Sequence, residues 1–423
     1  PRARLAPRAV AWLSLMLLLV AACDLPAPSP VVAPATASAV PAGPTAPAPT
    51  ATPAGPPTPA PPAATIEVSP PRDLAGVIAA LPALLDRYAA DLDALRAHLA
   101  GWGVLEAEAD PMRQADLDGD GQAEVLLLLC PPAGASSIDN PPARALVLLQ
   151  PGDGGYDLGG LRRLEPALRS DLVAVRDLTG DGLPEALVTY EDCGAHTCFL
   201  YVTALAWEGG RLRDLFPEPA GMSYAELTVD DRDGNGTCEL VLHGGAIGSV
   251  GAGPVQTRRD VYAWAGESCD LVETLYDPSP VRVHVLYDGE RALRRGDLHA
   301  ALAAYRRVAS DVSLADEGFG DPAQIRHTLE AFARYRLVTV QAALGDHEAA
   351  AEDLDALRSR CAGHPCVGLA QAFWAAWEPQ SDLAAGCAAA TAYAQAHREV
   401  LEAFGDYGYA NPPYTPADLC FLQ

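Results

Sequence analysis

The sequence predicts a multidomain α+β chain, with three units of antiparallel strands followed by an α-helical repeat or bundle domain. Three observations predict it. An acidic, glycine-containing loop of one design occurs three times, and each copy runs directly into an apolar segment of strand length. From about Val281 the turn residues give way to Ala-rich segments whose apolar positions recur at three- and four-residue steps. Ahead of both lies a stretch of Pro, Ala and Thr that cannot bury enough apolar surface to fold. At 423 residues there is chain for two or three domains. Its 29 basic residues, all arginine because the sequence has no lysine, stand against 55 acidic ones. The resulting net charge of −26 excludes nucleic acid as an expected partner, since binding phosphates requires a basic face.

At the N-terminal end, Arg2, Arg4 and Arg8 precede an apolar run from Ala9 to Ala22, 14 residues that fall short of a bilayer span. The run ends Val20-Ala21-Ala22-Cys23, which resembles the lipobox of bacterial lipoproteins. That resemblance implies a signal peptide over 1–22, a lipid on Cys23, and an extracytoplasmic chain held to the bacterial cell membrane by that lipid. Residues 23–72 then read as a tether: 14 prolines fall between Pro26 and Pro62 without a single charge, and such a segment favours extended polyproline II.

Residues 73–103 read as a helix packing on the next domain. Leu74, Val77, Ile78, Leu81, Leu84, Leu85, Tyr88, Leu92, Leu95 and Leu99 form its apolar stripe. Pro82 is expected to kink this helix early, and Gly101 and Gly103 to stop it.

The loops fall within residues 104–280. They are Asp116-Leu-Asp118-Gly-Asp120-Gly-Gln-Ala-Glu124, Asp177-Leu-Thr179-Gly-Asp181-Gly-Leu-Pro-Glu185 and Asp231-Arg-Asp233-Gly-Asn235-Gly-Thr-Cys-Glu239. Their starts are 177 − 116 = 61 and 231 − 177 = 54 residues apart, the spacing of a structural repeat. Around each loop the strands read as a meander of about four, the composition of a propeller blade. Oxygen-bearing side chains at positions 1, 3 and 5, with glycines at 4 and 6, suit a hard cation, because a tight turn aims successive oxygens at one point. An EF-hand would need a bidentate Glu at position 12, where Leu127, Val188 and Leu242 stand. A carboxylate at position 9 followed by a strand instead resembles the FG-GAP and VCBS repeats of integrin-like propellers. That resemblance implies Ca²⁺ held by Asp116, Asp118, Asp120 and Glu124, by Asp177, Thr179, Asp181 and Glu185, and by Asp231, Asp233, Asn235 and Glu239. Loop one, with four carboxylates, ranks strongest. Three units are fewer than the four to eight blades of a closed propeller, so either an open fan covered by the 73–103 helix or an unrecognised fourth unit is expected.

Within residues 281–423, Gly296-Asp297 and Gly345-Asp346 each end one helix and begin another, a pattern similar to tetratricopeptide repeats, and Asp382 marks a third, weaker phrase. The spacings of these aspartates, 346 − 297 = 49 and 382 − 346 = 36, imply an insertion at about residues 311–322. Either a peptide groove or a packed supporting bundle satisfies this pattern.

Nine cysteines follow Cys23. In an oxidising compartment they suggest the disulfides Cys193–Cys198, Cys238–Cys269, Cys361–Cys366 and Cys387–Cys420, with Cys130 left free. His196 and His364 inside the two short pairs raise zinc as an alternative, but neither has an evident fourth ligand. No H-E-x-x-H, G-x-S-x-G or P-loop motif is present, so no catalytic residue is expected. The glycine-rich run Gly244 to Gly253 lacks a lysine and reads as a mobile hairpin loop. The expected function is that of a membrane-anchored binding or scaffolding protein whose partner is a protein, peptide or glycan. The alternative is a calcium-dependent carbohydrate-binding module, with Trp207, Tyr224 and Trp264 stacking on sugars; a hydrolase with an acidic site is a third reading.

Overall fold

The computed structural model describes residues 70–88, 90–106, 110–132, 142–404 and 407–420. The signal peptide, Cys23 and nearly all of the tether lie outside the described residues. None of the described helices is long and apolar enough to cross a membrane.

The first helical region is two helices, α1 (Leu74–Tyr88) and α2 (Leu92–Gly101). Pro82 lies inside α1, which continues past it to Tyr88, and the region expected as one helix is divided before Leu92. The break sits where Asp91 caps α2, its carboxylate accepting the Ala94 N–H at 3.0 Å. Gly103, at φ +67°, follows the end of α2.

Three antiparallel meanders follow, and each repeat unit forms one sheet. The first comprises β1 (Met112–Ala115), β2 (Glu124–Leu129), β3 (Arg144–Gly152) and β4 (Gly155–Leu164) in that spatial order. The second comprises β5 (Arg169–Arg176), β6 (Glu185–Cys193), β7 (Cys198–Glu208) and β8 (Arg211–Asp214), with β9 (Ala220–Ser223) pairing the other half of the β7 edge. The third comprises β10 (Glu226–Asp230), β11 (Glu239–Gly244), β12 (Arg258–Trp264) and β13 (Cys269–Tyr276).

The side-chain alternation of β2 and β3 shows how the sheets are layered. Val125, Leu127, Leu129, Ala145, Val147 and Leu149 face α1 and α2, whereas Leu126, Leu128, Leu146 and Leu148 face the second sheet. In β6 and β7 the same division recurs: Ala186, Val188, Leu205 and Trp207 pack towards the first sheet, and Leu187, Val202, Ala204 and Ala206 towards the third. Strands buried on both faces carry continuous apolar runs, which is why Glu124-VLLLL and Glu185-ALV lack the alternation of a half-exposed strand. The order is therefore helix layer, first sheet, second sheet, third sheet. No apolar core among the described residues joins the third sheet to the first, so the array is an open stack rather than a closed propeller.

The helical region has a core of its own, drawn from α3 (Arg282–Arg294), α4 (Leu298–Ser310), α5 (Pro322–Leu344), α6 (His347–Arg360), α7 (Pro365–Trp377), α8 (Leu383–Ala396) and α9 (Glu399–Glu402). Both Gly-Asp phrases act as read: Gly296 and Gly345 take φ +76°, and Asp297 and Asp346 cap α4 and α6 through the Ala300 and Ala349 N–H groups at 2.9 and 3.0 Å. Asp382 caps α8 in the same way through Ala385 at 3.1 Å. Residues 311–321 form a loop that ends where Asp321 caps the long α5. A buried network runs through the middle of this domain. Arg336 holds both oxygens of Glu290 at 2.8 and 2.7 Å, Tyr305 donates to Glu290 at 2.8 Å, and Arg336 also donates to the Leu419 and Asp418 carbonyls.

Of the four disulfides expected, two are formed. Cys193–Cys198 closes the β6–β7 hairpin, and Cys387–Cys420 ties the C-terminal segment to α8. Cys238 and Cys269 are separate buried thiols, because Cys238 immediately precedes β11 and Cys269 begins β13, with β12 between the two strands. Two strand spacings come to about 10 Å, whereas a disulfide tolerates a Cα separation of about 7 Å at most. Cys361 and Cys366, at the end of α6 and the start of α7, are also wholly buried thiols, and burial pushes Cys361 up to about 11 and Cys366 higher. Cys130 is unbonded, as expected.

His364 caps α7, its Nδ1 accepting the Cys366 N–H at 3.2 Å. Burial lowers it to about 4, with the His327 ring contributing less. In the unfolded chain an ordinary histidine titrates near 6.5, so between about pH 6.5 and 4 the unfolded state binds the extra proton and stability falls as pH falls. The expected slope is on the order of 1 kcal/mol per pH unit. Denaturant unfolding at pH 7.5 and 5.0 measures it. His364→Asn keeps a capping acceptor and should show a smaller loss; an equal loss would remove His364 as the cause.

Candidate metal centres

Each acidic loop joins the first strand of its sheet to the second: Ala115 to Glu124, Arg176 to Glu185 and Asp230 to Glu239. The position-1 aspartate organises the turn. Asp116 accepts the Gly119 and Gly121 N–H groups at 2.7 and 2.9 Å, Asp177 those of Gly180 and Gly182 at 2.6 and 2.9 Å, and Asp231 those of Gly234 and Gly236 at 2.8 and 3.0 Å. All six glycines have φ between +74° and +92°, the left-handed region that only glycine enters without strain. The position-5 side chain accepts the position-7 N–H in every loop, at 2.7, 2.8 and 2.7 Å.

The position-9 glutamate has a second role that the sequence did not show. In each loop it is the first residue of the second strand, is buried, and accepts the position-2 N–H: Leu117 to Glu124 and Leu178 to Glu185 at 2.7 Å, and Arg232 to Glu239 at 2.8 Å. The extra methylene of Glu relative to Asp gives it this reach across the loop. Burial raises Glu124, and it raises Glu185 to about 7, with Asp181 and Asp177 adding repulsion.

The loops differ in how their ligands converge. Oxygens of Asp116, Asp118 and Asp120 lie within 4.8 Å of one another, as do those of Asp231, Asp233 and Glu239. These two clusters can hold a metal ion. In loop one Glu124 is outside the cluster, held by Leu117; in loop three the Asn235 amide donates to Asp233 at 3.2 Å while its oxygen accepts from the Thr237 N–H and hydroxyl. In loop two the substitution of a hydroxyl for a carboxylate leaves no three-carboxylate cluster, and Thr179 instead donates to Glu185 at 3.3 Å.

Successive loops also touch. A Cβ on Gly119 would stand 3.2 Å from Leu183, and one on Gly180 would stand 2.9 Å from the Gly236 carbonyl. Cys238 donates its N–H to the Leu178 carbonyl at 2.9 Å.

Two of the three aromatics expected to face sugars do not present open rings. Trp207 is buried against Gly160, and Trp264 is partly buried with the Arg213 guanidinium 6.0 Å from its ring. Tyr224 is 49% exposed, with its hydroxyl donating to the His196 carbonyl at 2.7 Å. The run Gly244 to Gly253 is not a free hairpin tip. Gly248 donates to Thr197, and the C-terminal segment lies along it, with Tyr409 and Ala410 N–H groups on the Gly251 and Ala252 carbonyls at 3.1 and 3.3 Å. Its glycines allow backbones to meet: a Cβ on Gly253, whose φ is +77°, would overlap the Tyr407 carbonyl.

No family model and no curated protein matches the chain.

Proposed function

We propose that this chain is a lipid-anchored extracytoplasmic binding or scaffolding protein whose β-repeats are stabilised by calcium. The observation that supports the reading is the threefold recurrence of one loop geometry, with converging carboxylates in loops one and three. Calcium suits it better than magnesium because carboxylates gathered by one turn do not impose the near-ideal octahedron that magnesium demands. No residue set in the reading performs catalysis. The acidic surface repels anionic polymers, and a protein or peptide is the favoured partner now that Trp207 and Trp264 are engaged internally.

Calcium is expected to bind with affinity in the roughly 0.1–1 mM range of extracellular modules. At ten times its dissociation constant it would stabilise each site by about 1.4 kcal/mol. EDTA should lower the melting temperature and calcium restore it, more than equimolar magnesium does. Asp118→Ala should lose more of this response than Thr179→Ala. Superimposable melting curves with and without several millimolar calcium would refute the reading. The anchor is tested separately: Cys23→Ser should release the protein from the membrane fraction, and undiminished retention would count against lipidation.

A further inference from the structure

A cavity of about 450 Å³ lies between the end of the third β unit, α3, α5 and the C-terminal segment. That volume falls within the roughly 300–1,000 Å³ range of small-molecule pockets. In a chain of net charge −26, its lining is inverted in sign: Arg258, Arg291, Arg294 and Arg336 outnumber Glu290 and Asp418. Arg336 is consumed by Glu290 and the Asp418 and Leu419 carbonyls. The other three are not. Arg258 is engaged through Nε with Asp260, and Arg291 through Nη2 with Asp288 and Gln256, so part of each guanidinium stays open to a ligand. Arg291 is fixed further by lying 3.6 Å from the centre of the Tyr276 ring. Arg294 has no ion-pair partner among the described residues.

The second observation is independent of charge. The Tyr414 hydroxyl is buried and has no hydrogen-bond partner among the described residues, although its ring is held between Phe332 and Phe404 at 5.0 and 5.1 Å. A buried donor without an acceptor is costly and uncommon, and the Tyr414 side chain that carries this one forms part of the wall of the arginine-rich cavity. Apolar surface from Pro412 and Pro413 completes the wall and continues into an adjoining cavity of about 540 Å³ that shares Tyr414.

We propose that this cavity binds a small organic anion, its carboxylate or phosphate oxygens received by Arg258, Arg291, Arg294 and the Tyr414 hydroxyl and its apolar body lying against the proline wall. The guanidinium fork suits either acid group, because both present paired acceptor oxygens. The site is distinct from the acidic loops and does not depend on calcium.

The test is titration calorimetry on the full chain in EDTA, with phenylacetate and phenyl phosphate as probes and phenol at matched ionic strength as the uncharged control. Saturable binding of at least one anion, and none of phenol, is expected; which anion binds tells carboxylate from phosphate. Arg294→Gln, at an exposed position with no partner to disrupt, should weaken binding about fivefold, and Tyr414→Phe about tenfold. Tyr414→Phe should at the same time leave the ligand-free melting temperature unchanged or higher, because it removes an unmatched polar atom while keeping the ring. Failure of both anions to bind at 10 mM would overturn the proposal, as would binding that is unaltered in either variant.

Discussion

Arg336→Met is expected to destabilise the helical domain by about 3–5 kcal/mol, the usual cost of removing one partner from a buried ion pair. Arg336 is 1% exposed and Glu290 6%, so the remaining carboxylate would have neither water nor a counter-charge. Tyr305 alone would still donate to it. The Leu419 carbonyl would keep only Tyr335 as donor, and the Asp418 carbonyl would lose the Arg336 N–H it accepts, although Cys387–Cys420 would still hold the end of the segment. Urea unfolding monitored by helical circular dichroism measures the change. The double variant Arg336→Met/Glu290→Leu should recover much of the loss, because an apolar pair needs no charge compensation. A loss under 1 kcal/mol in the single variant would show that water reaches Glu290.

Gly253→Val should cost roughly 2–4 kcal/mol, combining the strain of a left-handed residue with overpacking against the Tyr407 carbonyl. Its effect should be confined to the junction between the two regions. The helical core contains only residues from Val281 onward, and the β-repeat cores contain none of them. Calorimetry should therefore show the variant unfolding in two separated steps where the parent chain shows closer coupling, and limited proteolysis should cut near residues 250–256 first. A uniform drop in one unsplit transition would mean that the strain spreads into a core.

The sequence carried the local features well and the long-range ones poorly, for identifiable reasons. The loops were legible because Asp at position 1 and Gly at positions 4 and 6 are demanded by hydrogen bonds within nine residues, and the helix boundaries at Gly296-Asp297 and Gly345-Asp346 by caps within four. The Asp91 cap carries the same kind of signal, yet Pro82 was the more conspicuous helix breaker and drew the expected kink to itself. Cys238 and Cys269 suggested a bond because an oxidising compartment was expected, and only the strand order places β12 between them. Nor could the glycines of 244–253 announce that they meet a segment more than 150 residues away, as Asn411 does in donating to the Ala252 carbonyl. The cavity beside Tyr414 had no local sign, because its arginines come from three elements distant in sequence, Arg336 from α5, Arg258 from β12 and Arg291 and Arg294 from α3.

The contacts between loops two and three, and between loops one and two, set a position-4 glycine of each loop against the next loop, beside the apolar layers that also join the sheets. An array jointed in this way extends along one axis, each sheet bearing only on its neighbours. A further unit that matched the apolar faces and loop contacts of its neighbours would lengthen the stack by about one sheet thickness, near 10 Å.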